Sequence, residues 1–231
     1  MKNKLAFLKT KQNALLLTSF ATVCTLAVSL THMWTAPLIE QQKQIAVLNS
    51  LNELLDPAKF DNNPLLNCTK LSVPKITGSD LPQTFYRATL NGQPYATVFQ
   101  TRTEQGYNGL IELLVAIDNN GVVQGTRTLT HQETPGLGDK IELAKSDWIL
   151  SFNQKSVRSE DDDKWNVKKD GGRFDQFTGA TITPRAIVKQ LRQSVFQAQQ
   201  NFDNIFASPN DCLASSNKQN QSLTAKENSD E

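Results

Sequence analysis

The chain has 231 residues, 38% of them hydrophobic and 20% charged, with a formal net charge of +1. That composition suits one ordinary folded domain with appendages. The basic residues are dispersed except at the extreme N-terminus, which argues against a DNA- or RNA-binding surface. Two histidines, His32 and His131, and three widely spaced cysteines give no Cys-x-x-Cys pair and no His/Cys cluster of metal-ligand spacing, so no iron–sulfur or structural zinc centre is expected.

Residues 14–31 carry no charge, and this apolar run approaches the roughly 20 residues that a bilayer crossing requires. One transmembrane helix is therefore expected over 14–35. Lys2, Lys4, Lys9 and Lys11 precede it without an acidic neighbour, which by the positive-inside tendency keeps residues 1–13 cytoplasmic and sends the chain after Trp34 across the membrane. A cleaved signal peptide is the alternative, with Ala27-Val28-Ser29 as a small-x-small site, but the apolar stretch is longer than a typical signal core. Export to an oxidising compartment makes a Cys68–Cys212 disulfide a hypothesis for the fold to test, Cys24 lying within the anchor.

Beyond the anchor, residues 39–55 place Ile45, Leu48, Leu51 and Leu55 at helical spacing, ending before Pro57. Residues 84–90 and 95–101 read as strands around the turn signal Asn91-Gly92, with Pro94 lengthening or bending the loop. Residues 110–117 and 122–130 flank Asp118-Asn119-Asn120-Gly121 and form a second predicted hairpin. A loop, Glu133-Thr134-Pro135-Gly136-Leu137-Gly138-Asp139, then leads into an expected helix through Ile141, Leu143, Ala144 and Trp148. Glu160-Asp161-Asp162-Asp163 reads as a solvated loop before the strand-like Trp165-Asn166-Val167, not as a cation site. Ile187, Leu191, Val195 and Ala198, widened by Val188, Phe202 and Phe206, mark a closing helix whose apolar face is core and which Ser208-Pro209 stops. Residues 213–231 are polar and expected to be disordered. The predicted class is α+β: a single N-terminal transmembrane helix, then an exported domain over 36–212 with an antiparallel sheet flanked by helices.

The richest segment is Asp175-Gln176-Phe177-Thr178-Gly179-Ala180-Thr181-Ile182-Thr183. Gly179 and Ala180 carry almost no side chain, so a bulky partner can approach the Thr181 hydroxyl. Thr183 reads as a helix N-cap and Pro184 as the first helical residue, which would place an anion on Thr181 beside free N–H groups and the positive end of the helix dipole. Arg185, in the first turn, is unfavourable there unless an anion receives it. Alone, Thr-Gly-Ala-Thr reads as a helix cap, and Pro-Gly-x-Gly as a turn.

Together these segments resemble the FMN-binding domain family, in which FMN is joined through its phosphate to the last threonine of an Asp…Ser/Thr-Gly-Ala-Thr motif, here Thr181. Glu-Thr-Pro-Gly-Leu-Gly is that family's second recurrent flavin-site motif. The resemblance implies that a separate FMN transferase, with FAD as donor, forms the phosphoester. It also implies that Asp175, Thr178, Gly179 and Ala180 shape the recognised loop, and that Glu133, Thr134, Gly136, Leu137 and Gly138 help hold the flavin. The wording from Phe174 to Arg185 is most similar to the G-subunit family of Rnf (or Rsx) complexes. This implies a flavin relay on the periplasmic face of a bacterial inner membrane, in a multisubunit complex that moves electrons between NADH and a ferredoxin-type carrier and couples them to ion movement. With no Gly-x-Gly-x-x-Gly fingerprint and one expected span, the chain would not be catalytically complete alone. Two alternatives remain at this point: the C-subunit family of sodium-translocating NADH:quinone reductases, and a flavin-free membrane-tethered interaction domain.

Overall fold

The computed structural model describes residues 2–212; the expected disordered tail, 213–231, lies outside the described residues. The chain divides into two compact units, residues 1–46 and 47–231. Helix α1, Lys2–Leu54, is continuous across the division, so the expected anchor and the expected helix from Ile39 are one element. Within it, Asn13–Ala36 is long and apolar enough to cross a membrane, with a mean hydropathy of 1.9 and none of it buried. Its threonines return their hydroxyls to carbonyls four residues back, as Thr18 does to Ala14 at 2.9 Å and Thr25 to Ala21 at 2.8 Å. Such bonds leave these hydroxyls satisfied without water.

In the second unit, the described residues form a five-stranded antiparallel sheet in the order β1 (Cys68–Leu71), β2 (Gln83–Leu90), β3 (Gln93–Gly106), β4 (Gly109–Asp118), β5 (Val123–His131). A one-turn helix, α2 (Pro74–Thr77), lies between β1 and β2. The β2–β3 turn has both central residues in the left-handed region, Asn91 at φ 52° and Gly92 at 72°. That is the twist-matched two-residue hairpin that Asn-Gly favours. Pro94 does not lengthen this loop: it lies inside β3, and the irregularity appears as a register shift at Ala88/Thr89. The β4–β5 connection is held by Asp118, whose carboxylate accepts the N–H groups of Asn120 at 2.8 Å and Val122 at 3.0 Å. β3 and β4 form a further hairpin, closed across Gly106 and Gly109, that the sequence reading missed.

Both faces of the sheet are covered, which explains why β4 is buried without interruption from Leu113 to Ile117. On one face Phe85, Phe99, Ile111, Leu113, Val115 and Ile117 share a core with Ile187, Val188, Leu191, Val195 and Ala198 of α3 (Ile182–Gln200). On the other, Ala88, Ala96, Val98, Leu114 and Ala116 pack with Leu51, Leu54 and Leu55 from the chain at and just beyond the end of α1. Each large apolar side chain so buried contributes about 1.5–3 kcal/mol.

The helix expected through Ile141 to Trp148 is instead two short 3-10 turns, Gly138–Ile141 and Asp147–Phe152. Glu142 and Ser146 are extended, and the Ser146 side chain caps the second turn by accepting the Trp148 N–H at 3.2 Å. Trp148, Ile149 and Phe152 are buried by aromatic packing with Trp165, Phe174 and Phe177, not by a helical stripe. The strand expected at Trp165–Val167 reduces to one parallel bridge between Val167 and Phe174. Asp162 departs from a simple solvated loop: it is buried and accepts N–H groups of Arg158 at 3.1 Å and Lys164 at 3.0 Å. Among the described residues no group of acidic, His or Cys side chains could hold a metal ion.

The closing helix breaks at Asn201 and resumes as α4 (Phe202–Ala207), ending at Ser208. Arg87, buried on β2, caps this end. Its Nη1 donates to the carbonyls of Ile205 (3.3 Å), Phe206 (3.3 Å) and Ser208 (2.6 Å), and its Nε donates to Asn67 Oδ1 at 2.8 Å. Beyond it, Cys212 is joined to Cys68 by a disulfide, with the two Cα atoms 5.4 Å apart.

Candidate functional site

Three chain segments from distant parts of the sequence converge beside the N-terminus of α3. They are the β3–β4 turn, the loop after β5, and the turn that precedes α3. They enclose a cavity of about 270 Å³ lined by Tyr107, Glu133, Thr134, Leu137, Gly138, and residues 179–183. Glu133, Thr134, Leu137 and Gly138 thus share one wall with residues 179–183, although the two segments are read separately in the sequence.

The loop after β5 is shaped by its glycines and by Asp139. Gly136 has φ 77° and a side chain there would meet nothing within 4 Å, whereas a Cβ on Gly138 would lie 2.7 Å from Glu133 Oε2. Backbone N–H groups of Leu137 and Gly138 both bond to the Thr134 carbonyl at 3.1 Å. Asp139 is buried. The Gly136 N–H, then Lys145 at 3.1 Å, holds its carboxyl below the usual carboxylate range.

Before α3, the Ala180 N–H bonds to the Phe177 carbonyl at 3.1 Å, closing a turn with Gly179 at φ 80°. Only glycine adopts that angle without strain, and a Cβ there would meet nothing nearer than Leu137 at 3.6 Å. Phe177 is anchored against Trp148, whose indole N–H donates to the Asp175 carbonyl at 2.7 Å. Helix α3 begins two residues earlier than its sequence suggests. Thr181 already has helical angles and occupies the cap position, Ile182 is the first helical residue, and Pro184 is the third. Pro184 is tolerated because first-turn N–H groups have no partner within the helix. The Thr181 hydroxyl makes no hydrogen bond with another described residue, and the residue is half-buried at the cavity wall.

Thr183 is therefore not the cap. It is fully buried, and its hydroxyl donates a short hydrogen bond to the Glu133 carboxylate, joining the two segments across 50 residues of sequence. The other Glu133 oxygen accepts the Asn108 N–H at 3.2 Å, and the Asn108 side-chain amide donates to the Gln132 carbonyl at 2.8 Å. The Glu133 N–H donates to His131 Nδ1 at 3.0 Å, which leaves Nε2–H directed at Glu142 at 2.8 Å.

The remaining expected site residues stand apart from the cavity wall. Arg185 does not wait for an anion: its guanidinium engages Asp170. Asp175 points its carboxylate at Lys168, 2.6 Å away, and Thr178 and Gly136 are exposed on their turns. Tyr107 and Ile182 line the cavity and were missed. The pair Asn108-Gly109 is a turn signal that would have brought Tyr107 to the correct hairpin tip.

The wall suits a phosphorylated flat ligand. A free hydroxyl and the N-terminus of a 19-residue helix favour an anion, while Tyr107, Leu137 and Ile182 offer exposed apolar surface. One N-terminal helix long and apolar enough to cross a membrane precedes a flavin-binding domain: residues 106–195 match the FMN-binding domain family. Residues 1–54 match the RnfG N-terminal region. The chain is 47% identical over 203 residues to the G subunit of the ion-translocating oxidoreductase complex of Vibrio cholerae serotype O1 (strain ATCC 39541), covering 87% of this chain and 96% of that one. It is 45% identical to the corresponding G subunit of Vibrio atlanticus (87% and 96% covered) and 45% identical to that of Shewanella oneidensis (88% and 96% covered). The chain belongs to the G-subunit family of ion-translocating oxidoreductase complexes, which decides against the C-subunit alternative.

Proposed function

We propose that the protein is a covalently flavinylated electron-relay component of a membrane-bound complex that couples electron transfer, of the NADH/ferredoxin type, to ion translocation. The observation that carries this reading is the convergence of residues 133–138 and 179–183 on one cavity, with the Thr181 hydroxyl unengaged at the start of α3. FMN would be held through a phosphoester at Thr181, and when bound it supplies one- and two-electron chemistry. The first-turn N–H groups and the dipole of α3 favour the phosphate. The backbone at Gly138 would let the ring approach closely, and Tyr107, Leu137 and Ile182 would cover apolar ring surface. The Thr183–Glu133 bond fixes the spacing between the two segments.

A threonine hydroxyl is a poor nucleophile without a base, and the carboxylate in its own segment, Asp175, is paired with Lys168. The resemblance to the FMN-binding family implies a separate FMN transferase acting from FAD as the route to attachment, with Asp175, Thr178, Gly179 and Ala180 as the loop it recognises. The lysines before the anchor support a cytoplasmic segment 1–13, a span over 14–35 in a bacterial inner membrane, and a periplasmic domain over 36–212 followed by the tail 213–231. The Cys68–Cys212 disulfide suits that oxidising side. Other members of the complex are required as electron donor and acceptor and for the ion path.

The test is intact mass and peptide mapping of the protein purified from its native membrane. A mass increase of one FMN less water on the peptide containing Thr181, lost in Thr181→Ala, is the expected result. Bare Thr181 in cells with an active transferase refutes the attachment and leaves a flavin-free interaction domain as the reading.

A further inference from the structure

Glu133 is the one acidic residue lining the cavity, it is 5% exposed, and the cavity lining contains no Lys or Arg. No ion pair to it occurs among the described residues. Burying a charge without a counter-ion is costly unless hydrogen bonds replace its water. The fold supplies two donors, Asn108 N–H to one oxygen and Thr183 O–H to the other. Both carboxylate oxygens are thus engaged, one by a backbone N–H, which can only donate, and the other by a hydroxyl. Space for it is reserved on two sides: a Cβ on Gly106 would fall 2.7 Å from Oε1, and a Cβ on Gly138 would fall 2.7 Å from Oε2. The strand end at Gly106, the turn at Asn108, the loop glycine at 138 and the first turn of α3 thus converge on this carboxylate. Spacing the two segments would need only a neutral hydrogen bond, so the charge calls for a further role.

From this arrangement we infer that Glu133 is a positioning residue whose fixed negative charge lowers the reduction potential of the flavin, with Thr183 as the donor that limits how strongly it does so. The inference rests on the flavin reading above. Uptake of two electrons and one proton adds one unit of negative charge to the isoalloxazine, and a carboxylate without a counter-ion on the wall of the same cavity opposes that uptake. The Thr183 hydroxyl draws part of the carboxylate's charge toward itself, so its removal leaves the opposition stronger. The Glu133 N–H on His131 Nδ1 keeps the side chain's own backbone fixed.

The experiment is a reductive titration with dithionite of the membrane-purified, flavin-loaded chain in mildly alkaline buffer, comparing wild type with Glu133→Gln, Thr183→Val and Thr183→Ser. Glu133→Gln is expected to favour the reduced flavin at least tenfold, about 30 mV upward for a two-electron couple. Thr183→Val is expected to move the potential downward, and Thr183→Ser to leave it at the wild-type value. Opposite signs separate a charge effect from loosened packing, which would move both variants alike. An unchanged potential in Glu133→Gln, or a shift of the same sign in Glu133→Gln and Thr183→Val, overturns the inference. If Glu133→Gln does not fold or load, the Val and Ser variants at 183 decide: equal potentials overturn the inference and a lower one in Val supports it. Wild-type protein with no flavin on Thr181 defeats the attachment reading, and this inference with it, before any potential is measured.

Discussion

The guanidinium of Arg185 grips the carboxylate of Asp170 in a two-bond fork, Nε to Oδ2 at 2.6 Å and Nη2 to Oδ1 at 2.9 Å. This pairing resolves the unfavourable placement of a cation in the first turn of α3: the nearby carboxylate offsets the dipole, and no bound anion is required. The Arg185 hydrogen bond holds the Asp170 carboxyl below the usual range. A depressed carboxyl stabilises the fold above its unfolded pKa of about 4 and loses that contribution as pH falls through the folded value. Asp170→Asn should therefore melt below wild type at neutral pH, with the gap closing in acid. Flavin attachment in Asp170→Asn and Arg185→Ala should equal wild type by in-gel flavin fluorescence, and loss of the fluorescent band in Arg185→Ala would return Arg185 to the phosphate site.

Gly138→Ala tests the close approach at Glu133. The new methyl would press on Glu133 Oε2 and come within 3.0 Å of the Thr183 hydroxyl oxygen. Overpacking of this kind costs about 1–3 kcal/mol. Denaturant melts should show that loss, whereas Gly136→Ala, in open space but at positive φ, should lose about 1–2 kcal/mol from backbone strain alone. An unchanged melt in Gly138→Ala would mean that Glu133 yields freely.

The bond between Cys68 and Cys212 closes a loop spanning 144 residues of sequence. Replacing both cysteines by serine should lower stability by about 2–5 kcal/mol. Hydrogen exchange is expected to show the effect first in β1 and α4, the elements tied at that corner. Protection lost evenly across the sheet would contradict this.

Arg87→Leu removes a buried cation and leaves the Asn67 side chain and three carbonyls without their donor. Each buried acceptor left bare costs about 1–3 kcal/mol, and relaxation recovers part of it, so a total near 3 kcal/mol is expected in urea melts. A change under about 1 kcal/mol would show that water reaches this corner.

The sheet was largely legible because its signals are local. Asn91-Gly92 and Asp118-Asn119-Asn120-Gly121 made the turns they encode, and the alternating runs beside them made the strands. The apolar N-terminal helix was read from an uncharged run of bilayer-crossing length, and the face of α3 from apolar periodicity. Segments whose order depends on distant partners were not legible. The apolar residues from Ile141 to Trp148 fit a helix by spacing, yet Trp165, Phe174 and Phe177 hold them in short turns. Thr183 had the identity and position of a cap; only the fold reveals the carboxylate 50 residues earlier that claims its hydroxyl. Arg87 gave no sequence signal because its partners, the Asn67 side chain and the carbonyls at the end of α4, are brought to it only by the fold.

Thr181 lies between two residues that cannot drift, Phe177 at 7% exposure and Thr183 at 0%. Trp148 pins the first, and the Glu133 carboxylate pins the second. Its hydroxyl is in effect a hinge pin set in masonry. Whatever is bonded there swings from a stationary pivot, and its radius of travel is that of its own arm, with nothing added by slack in the chain.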